Sequence, residues 1–163
     1  VWQGPKDLSA QTWVWTTDTS LNLRIVVNDD KHVQPNPESE LWKSDCIQLA
    51  MQLPGQKGQW EINLARSDDG KSLVNPGIVP QELNASGITH SLLKTTASDG
   101  KIVYELTLPL AALHLTADKF AQGVYMSMLV NDDDGEGRDG WIALSSGIGS
   151  GKDPSCYPLF VVK

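Results

Sequence analysis

LNLRIVVN, residues 21–28, decides how the rest of the chain is read. Leu21, Leu23, Ile25 and Val27 fall on one side of an extended backbone, and Asn22, Arg24 and Asn28 on the other. That period of two marks a strand with one buried face. DCIQLAMQL (45–53) repeats the pattern, with Ile47, Leu49, Met51 and Leu53 as the inward set and Cys46, Gln48, Ala50 and Gln52 opposite. In QWEINLAR (59–66) the inward set is Trp60, Ile62 and Leu64, so Glu61 and Asn63 face the way Gln48 does. If these two strands are neighbours, one sheet face carries a polar patch.

Further strands are expected at 12–17, 88–95, 101–108, 122–130, 140–145 and 156–162, separated by the turn signals PGQKG, SDDGK and SDG. Only 108–113 suits a brief helical turn. The chain is therefore predicted to be all-β, a jelly-roll-like sandwich of two antiparallel sheets with little helix. It shows no internal repeat, low-complexity tract or dividing linker. Residues 1–163 are expected to form a single domain, long enough to bury roughly 70% of its unfolded surface. The first residues, VWQGPKDLSA, lack the layout of a signal peptide, so a mature domain or a piece cut from a larger protein is expected.

The formal charge of −7 opposes non-specific binding to nucleic acid or anionic lipid, because a polyanion would be repelled. No apolar run reaches the roughly 18–20 residues of a membrane span. The spacing of the two cysteines, Cys46 and Cys156, neither requires nor forbids a bridge. The chain has no Gly-x-Ser-x-Gly elbow, His-Glu-x-x-His, Cys-x-x-Cys or phosphate-binding glycine loop, which argues against an enzyme. The histidines, His32, His90 and His114, lie far apart in sequence and read as surface or turn residues.

LVNDDDGEGRDGW (129–141) gathers Asp132, Asp133, Asp134, Glu136 and Asp139 just after a strand-like run. Carboxylates so close repel one another, and a hard divalent cation with several oxygen ligands relieves that repulsion. Calcium suits them. The spacing is not that of an EF-hand, since the glycine falls sixth only in a loop that starts at Val130. The alternative is a solvated acidic turn eased by glycine and Arg138. Asp29 and Asp30 follow a strand in the same Val-Asn-Asp-Asp pattern, which could place both acidic loops at one end of the sandwich.

Six tryptophans stand out in an otherwise aromatic-poor chain. Trp60 has a core phase and Trp13 and Trp15 share a face, so packing is expected of all three. Trp42 sits in the polar, proline-rich loop PNPESELWKSD, where periodicity gives no reason for burial. An exposed ring beside polar groups suits a sugar, whose C–H face stacks while its hydroxyls bond. A ring plugging the sandwich end is the competing reading.

The succession VVNDDKH, LWKSDCIQLAMQ, QWEINLA, IVYELTLPLAAL, MLVNDDDGEGR and GKDPSCYPLFVVK resembles the family 9 carbohydrate-binding modules over roughly residues 20–163. Its most specific pieces are Trp42 with Asp45, Val-Asn-Asp at 130–132, and Asp153-Pro154-Ser155. The resemblance implies a non-catalytic β-sandwich with structural calcium that binds a polysaccharide or oligosaccharide. Such modules are usually linked to secreted glycoside hydrolases, which implies an extracellular domain. By position, Trp42 matches one wall of the family's aromatic clamp. Gln48 falls where a glutamate would receive sugar hydroxyls, and Glu61 where an arginine would donate. Asn63 shares their face. The second wall should precede Asp153, where this chain has Gly151-Lys152, so Trp141 or Tyr157 would have to lend the missing ring. Asp29, Asp30, Asp45, Asp132, Asp133, Asp134, Glu136 and Asp139 are the candidate calcium ligands.

Two other readings stand beside this one. A sandwich without its second wall would serve as a non-binding spacer or docking domain. Related sandwiches hold haem b through methionine with histidine or lysine, for which Met126 and Met128 are candidates, although their shared strand face suits core packing.

Overall fold

The computed structural model describes residues 2–149 and 151–161. The chain forms β1 (Leu8–Thr16), β2 (Ser20–Asp29), β3 (Ile47–Gln52), β4 (Trp60–Arg66), β5 (Ser72–Ile78), β6 (Leu93–Ser98), β7 (Lys101–Pro109), a single α-helical turn α1 (Ala117–Phe120), β8 (Val124–Asp132), β9 (Gly140–Ala143) and β10 (Leu159–Phe160). Short 3-10 turns occupy Glu38–Lys43, His90–Leu92, Leu110–Leu113 and Pro154–Cys156.

All pairings are antiparallel. One sheet runs β1-β2-β7-β6, and the other runs β10-β8-β3-β4-β5, with β9 also on β8. The all-β sandwich expected from the sequence is the fold observed. The alternation read in β2, β3 and β4 sets the layers, since Leu23, Ile25, Ile47, Leu49, Met51, Trp60, Ile62 and Leu64 are sealed between the sheets. Removing a side chain such as Leu23 or Leu49 to alanine costs about 2–5 kcal/mol in a site of this kind. β6 returns into β7 through Asp99-Gly100, both at positive φ, the two-residue turn that matches strand twist.

Several local expectations are corrected. β5 was not among the expected strands. It lies at the sheet edge and contains Pro76 and Gly77, residues that break the strand signal, and its pairing with β4 shifts register beside Glu61. The stretch 88–95 begins as a 3-10 turn and becomes a strand only at Leu93. The stretch 156–162 is a strand only at Leu159–Phe160, and Val162 lies outside the described residues. Helix also forms at 117–120, beyond the turn expected at 108–113.

Trp13 and Trp15 do not pack in the core. The β1–β2 register pairs Val14 with inward Leu23, which sends both rings outward, and each is about half exposed. Arg24 lies over the Trp13 ring at 5.6 Å from its centroid. Cys46 and Cys156 are both free thiols, the first buried and the second exposed.

Candidate functional site

The β3–β4 register sets Gln48 beside Asn63 and Ala50 beside Glu61, and the β3–β8 register extends these rows to Leu129 and Ser127. The polar patch expected on this face is therefore present, but it is not open. Leu41, in the 3-10 turn, is buried on Cys46 and Ala65, which covers one row. Ile148 and Tyr157, from the C-terminal segment, are buried against Ala50 and Leu129, which covers another. Gln48, Glu61 and Asn63 lie between these two covers, each more than nine-tenths buried.

Gln48 donates its Nε2 to Glu61 Oε1 at 3.1 Å, and Lys152 forms an ion pair with Glu61 Oε2. The cation beside Glu61 comes from position 152, on the overlying segment. Asn63 Oδ1 is the one buried side-chain nitrogen or oxygen among the described residues with no hydrogen-bond partner. Such an acceptor costs about 1–3 kcal/mol unless water or a ligand supplies a donor. A Cβ at Gly77 would stand 2.8 Å from the Asn63 amide nitrogen, so glycine there makes room for this side chain.

Trp42 and Trp141 meet at Asn131, which donates its Nδ2 to Trp42 O at 3.3 Å and pairs with Trp141 across β8 and β9. Leu41, not Trp42, plugs the sandwich, and the Trp42 ring is left 42% exposed; Trp141 is 51% exposed. The Arg138 guanidinium lies 5.6 Å from the Trp42 centroid and 5.3 Å from that of Trp141, joining two rings 99 positions apart. Arg138 is held by its own N–H on Lys43 O (3.0 Å) and by Nη1 donating to Asn131 Oδ1 (3.3 Å). Tyr157 supplies no stacking face. Its ring is buried and its hydroxyl donates to Gln59 Oε1 at 2.9 Å, because it anchors the segment that covers the sheet.

The acidic loops meet at one end of the sandwich. Asp29, Asp45, Asp132 and Asp133 are buried, Asp134 is half-buried, and Asp30, Glu136 and Asp139 are exposed. Asp45 Oδ1 accepts the Asp133 N–H at 2.9 Å, and Asp133 in turn accepts from Gly135 N, Gly137 N and the Ser44 hydroxyl, which folds its loop. Burial, followed by the charge of Asp29, pushes the Asp45 carboxyl up to about 9. Burial, then Asp7, pushes Asp132 up to about 6. A carboxyl raised as far as that of Asp45 carries charge at neutral pH only where a cation compensates it.

The carboxylates fit a divalent ion. Among the described residues, the group of three or more whose ligand atoms converge within 4.8 Å is Asp29, His32 and Asp45. His32, read from the sequence as a turn residue, belongs to it. The signal was present in Asp-Asp-Lys-His, but its partner Asp45 lies 13 residues on. The two other histidines are engaged elsewhere, His90 with Glu38 and His114 with Asn84 O. Met126 and Met128 are buried between the sheets.

No family model and no curated protein matches the sequence. Among solved structures, the chain is similar to a family 9 carbohydrate-binding module from Caldicellulosiruptor kristjanssonii in complex with glucose, with a TM-score of 0.70, 13% identity, and coverage of 99% of this chain and 80% of that one. A structure of a family 9 module from the same organism in complex with cellotriose gives the same TM-score and identity over 99% and 78%. A candidate carbohydrate-binding protein from Bacteroides uniformis follows at 0.64, 12% identity, 98% and 80%. The fold is that of a family 9-like module.

Proposed function

We propose that this chain is a non-catalytic sugar-binding module that takes a neutral oligosaccharide or polysaccharide chain. The observation that carries the reading is the unpartnered Asn63 Oδ1, buried on the polar floor of a sheet whose Asn131 end carries two exposed tryptophans. A sugar is rich in hydroxyl donors and has apolar C–H faces, so it answers both features. Binding of glucose and cellotriose by proteins of similar fold supports β-glucans as the first class to test.

Trp42 and Trp141 would offer the stacking faces, with Arg138 holding them in place. Gln48, Asn63 and the Glu61–Lys152 pair would exchange hydrogen bonds with hydroxyls. A divalent cation at the buried carboxylates would fix the loops that carry Trp42 and Arg138; calcium is the ion the resemblance implies. Covalent linkage to other domains of a secreted protein, such as a glycoside hydrolase, belongs to the same proposal.

Affinity electrophoresis in gels containing soluble β-glucan or xylan tests it. Retardation that is lost in Trp42→Ala and kept in Trp13→Ala is the expected result. A second reading, a spacer that binds no glycan, is favoured by Lys152 lying on the floor where the resemblance calls for an aromatic wall. No retardation in any gel by a folded protein would establish it.

A further inference from the structure

The metal-ligand set contains a nitrogen, and that nitrogen is already aimed. His32 Nε2 lies 2.7 Å from Arg66 O. A carbonyl only accepts, so the proton sits on Nε2 and the Nδ1 atom is the one turned toward the acids. Nδ1 stands 3.6 Å from Asp29 Oδ2 and 3.5 Å from Asp45 Oδ2. A charged imidazolium bonding to a carboxylate draws in to about 2.7–2.9 Å, and neither contact does so. One ligand atom from each of the three residues lies within 4.8 Å of the other two.

Their spacing suits a bound ion. A tetrahedral shell with ligands at about 2.0–2.2 Å has edges of about 3.3–3.6 Å. A larger ion in an octahedral shell has similar edges, so the donor type decides. Calcium and magnesium take oxygen ligands, whereas imidazole nitrogen suits zinc and its transition-metal neighbours. The surroundings are also those of a prepared site. A histidine that ligates a metal ordinarily donates its other N–H to a carbonyl or carboxylate, as His32 does to Arg66 O. Asp29 accepts the Lys31 N–H on Oδ1 at 2.8 Å, which turns Oδ2 inward. Asp45 accepts Asp133 N on Oδ1 and Val33 N on Oδ2, so its plane is fixed.

We propose that Asp29, His32 and Asp45 form a structural site for a divalent transition ion of the zinc type, not a calcium site. It rests on the cation reading given above and is independent of whether a sugar binds. The ion ties the end of β2 to the entry of β3 and, through Arg66 O, to the end of β4. It thereby sets the base of the loop that carries Trp42.

The test uses untagged protein stripped with chelator and then titrated with zinc chloride or calcium chloride, following heat of binding and thermal unfolding. Zinc should bind once per chain and raise the midpoint, with calcium at least tenfold weaker. Cobalt should give visible absorption bands of a nitrogen- and oxygen-ligated ion. His32→Ala should weaken zinc at least tenfold and remove the bands; His32→Gln, which keeps a polar side chain, serves if the alanine variant is unfolded. Calcium binding as tightly as zinc, zinc affinity unchanged in the histidine variants, or binding of neither ion would overturn the proposal. Zinc binding by a protein that no glucan gel retards would support this site and count only against the sugar reading.

Discussion

Lys152 and Glu61 form an ion pair across 91 positions of sequence, the lysine from the C-terminal segment and the glutamate from the floor of the sheet. Glu61 is buried while Lys152 keeps about a third of its side chain in solvent. Removing the lysine leaves a buried carboxylate whose remaining partner is the Gln48 amide. Lys152→Ala is expected to destabilise the fold by about 1–3 kcal/mol, less than for a fully buried pair because the lysine is partly hydrated. In a denaturant cycle, pairing it with Glu61→Gln should recover most of that loss. Additive single effects would show that the pair is not coupled.

Asn63 separates function from stability. Its Oδ1 makes no hydrogen bond within the protein, so little is lost when it is removed. Asn63→Ala should leave the thermal midpoint within a few degrees of wild type, or raise it, while glucan retardation falls at least tenfold. A large loss of stability would identify a structural role instead.

Trp42 and Trp141 should behave alike. Both are about half exposed and touch a common guanidinium. Trp42→Ala and Trp141→Ala are each expected to weaken glucan binding at least tenfold, about 1.4 kcal/mol, with folding intact by circular dichroism. Arg138→Ala, which frees the rings without removing them, should weaken it less.

The thiols offer a pH test. Burial pushes the Cys46 thiol up to about 12, and the hydrogen bond from Asn131 only partly offsets this. In the native state Cys156 should react with a disulfide reagent at pH 8 and Cys46 should not. The unfolded chain ionises Cys46 near its ordinary value of 9.0. The folded state therefore holds that proton more tightly, and this contribution to stability is full below pH 9 and lost as pH rises toward 12. Denaturant midpoints of wild type and Cys46→Ala across pH 8–11 should converge with rising pH.

Much of the architecture was legible because β2, β3 and β4 alternate cleanly, and the same alternation puts Gln48, Glu61 and Asn63 on one face. Phase alone does not say which face meets the other sheet. In β1 the shared face of Trp13 and Trp15 suggested packing, yet it is Ala10 and Val14 on the other face that pack against the core. β5 was hidden by Pro76 and Gly77. The covering of the polar face by Ile148 and Tyr157, the reach of Lys152 and the convergence of His32 on Asp45 are long-range events that no local period encodes. For Trp42 the sequence left an exposed ring and an end plug both open, and the ring is exposed; its partner Arg138 was read only as a charge easing an acidic turn.

The sheet face that carries Asn63, with Trp42 and Trp141 at its Asn131 end, is proposed to hold a sugar. Titration calorimetry of the metal-loaded protein with cellotriose, run beside Asn63→Ala and Trp42→Ala, addresses it directly. One site per chain in the wild type, weakened at least tenfold by either substitution, is the predicted result. Binding unaffected by both substitutions, or no heat with cellotriose and no retardation by any glucan or xylan, would contradict it.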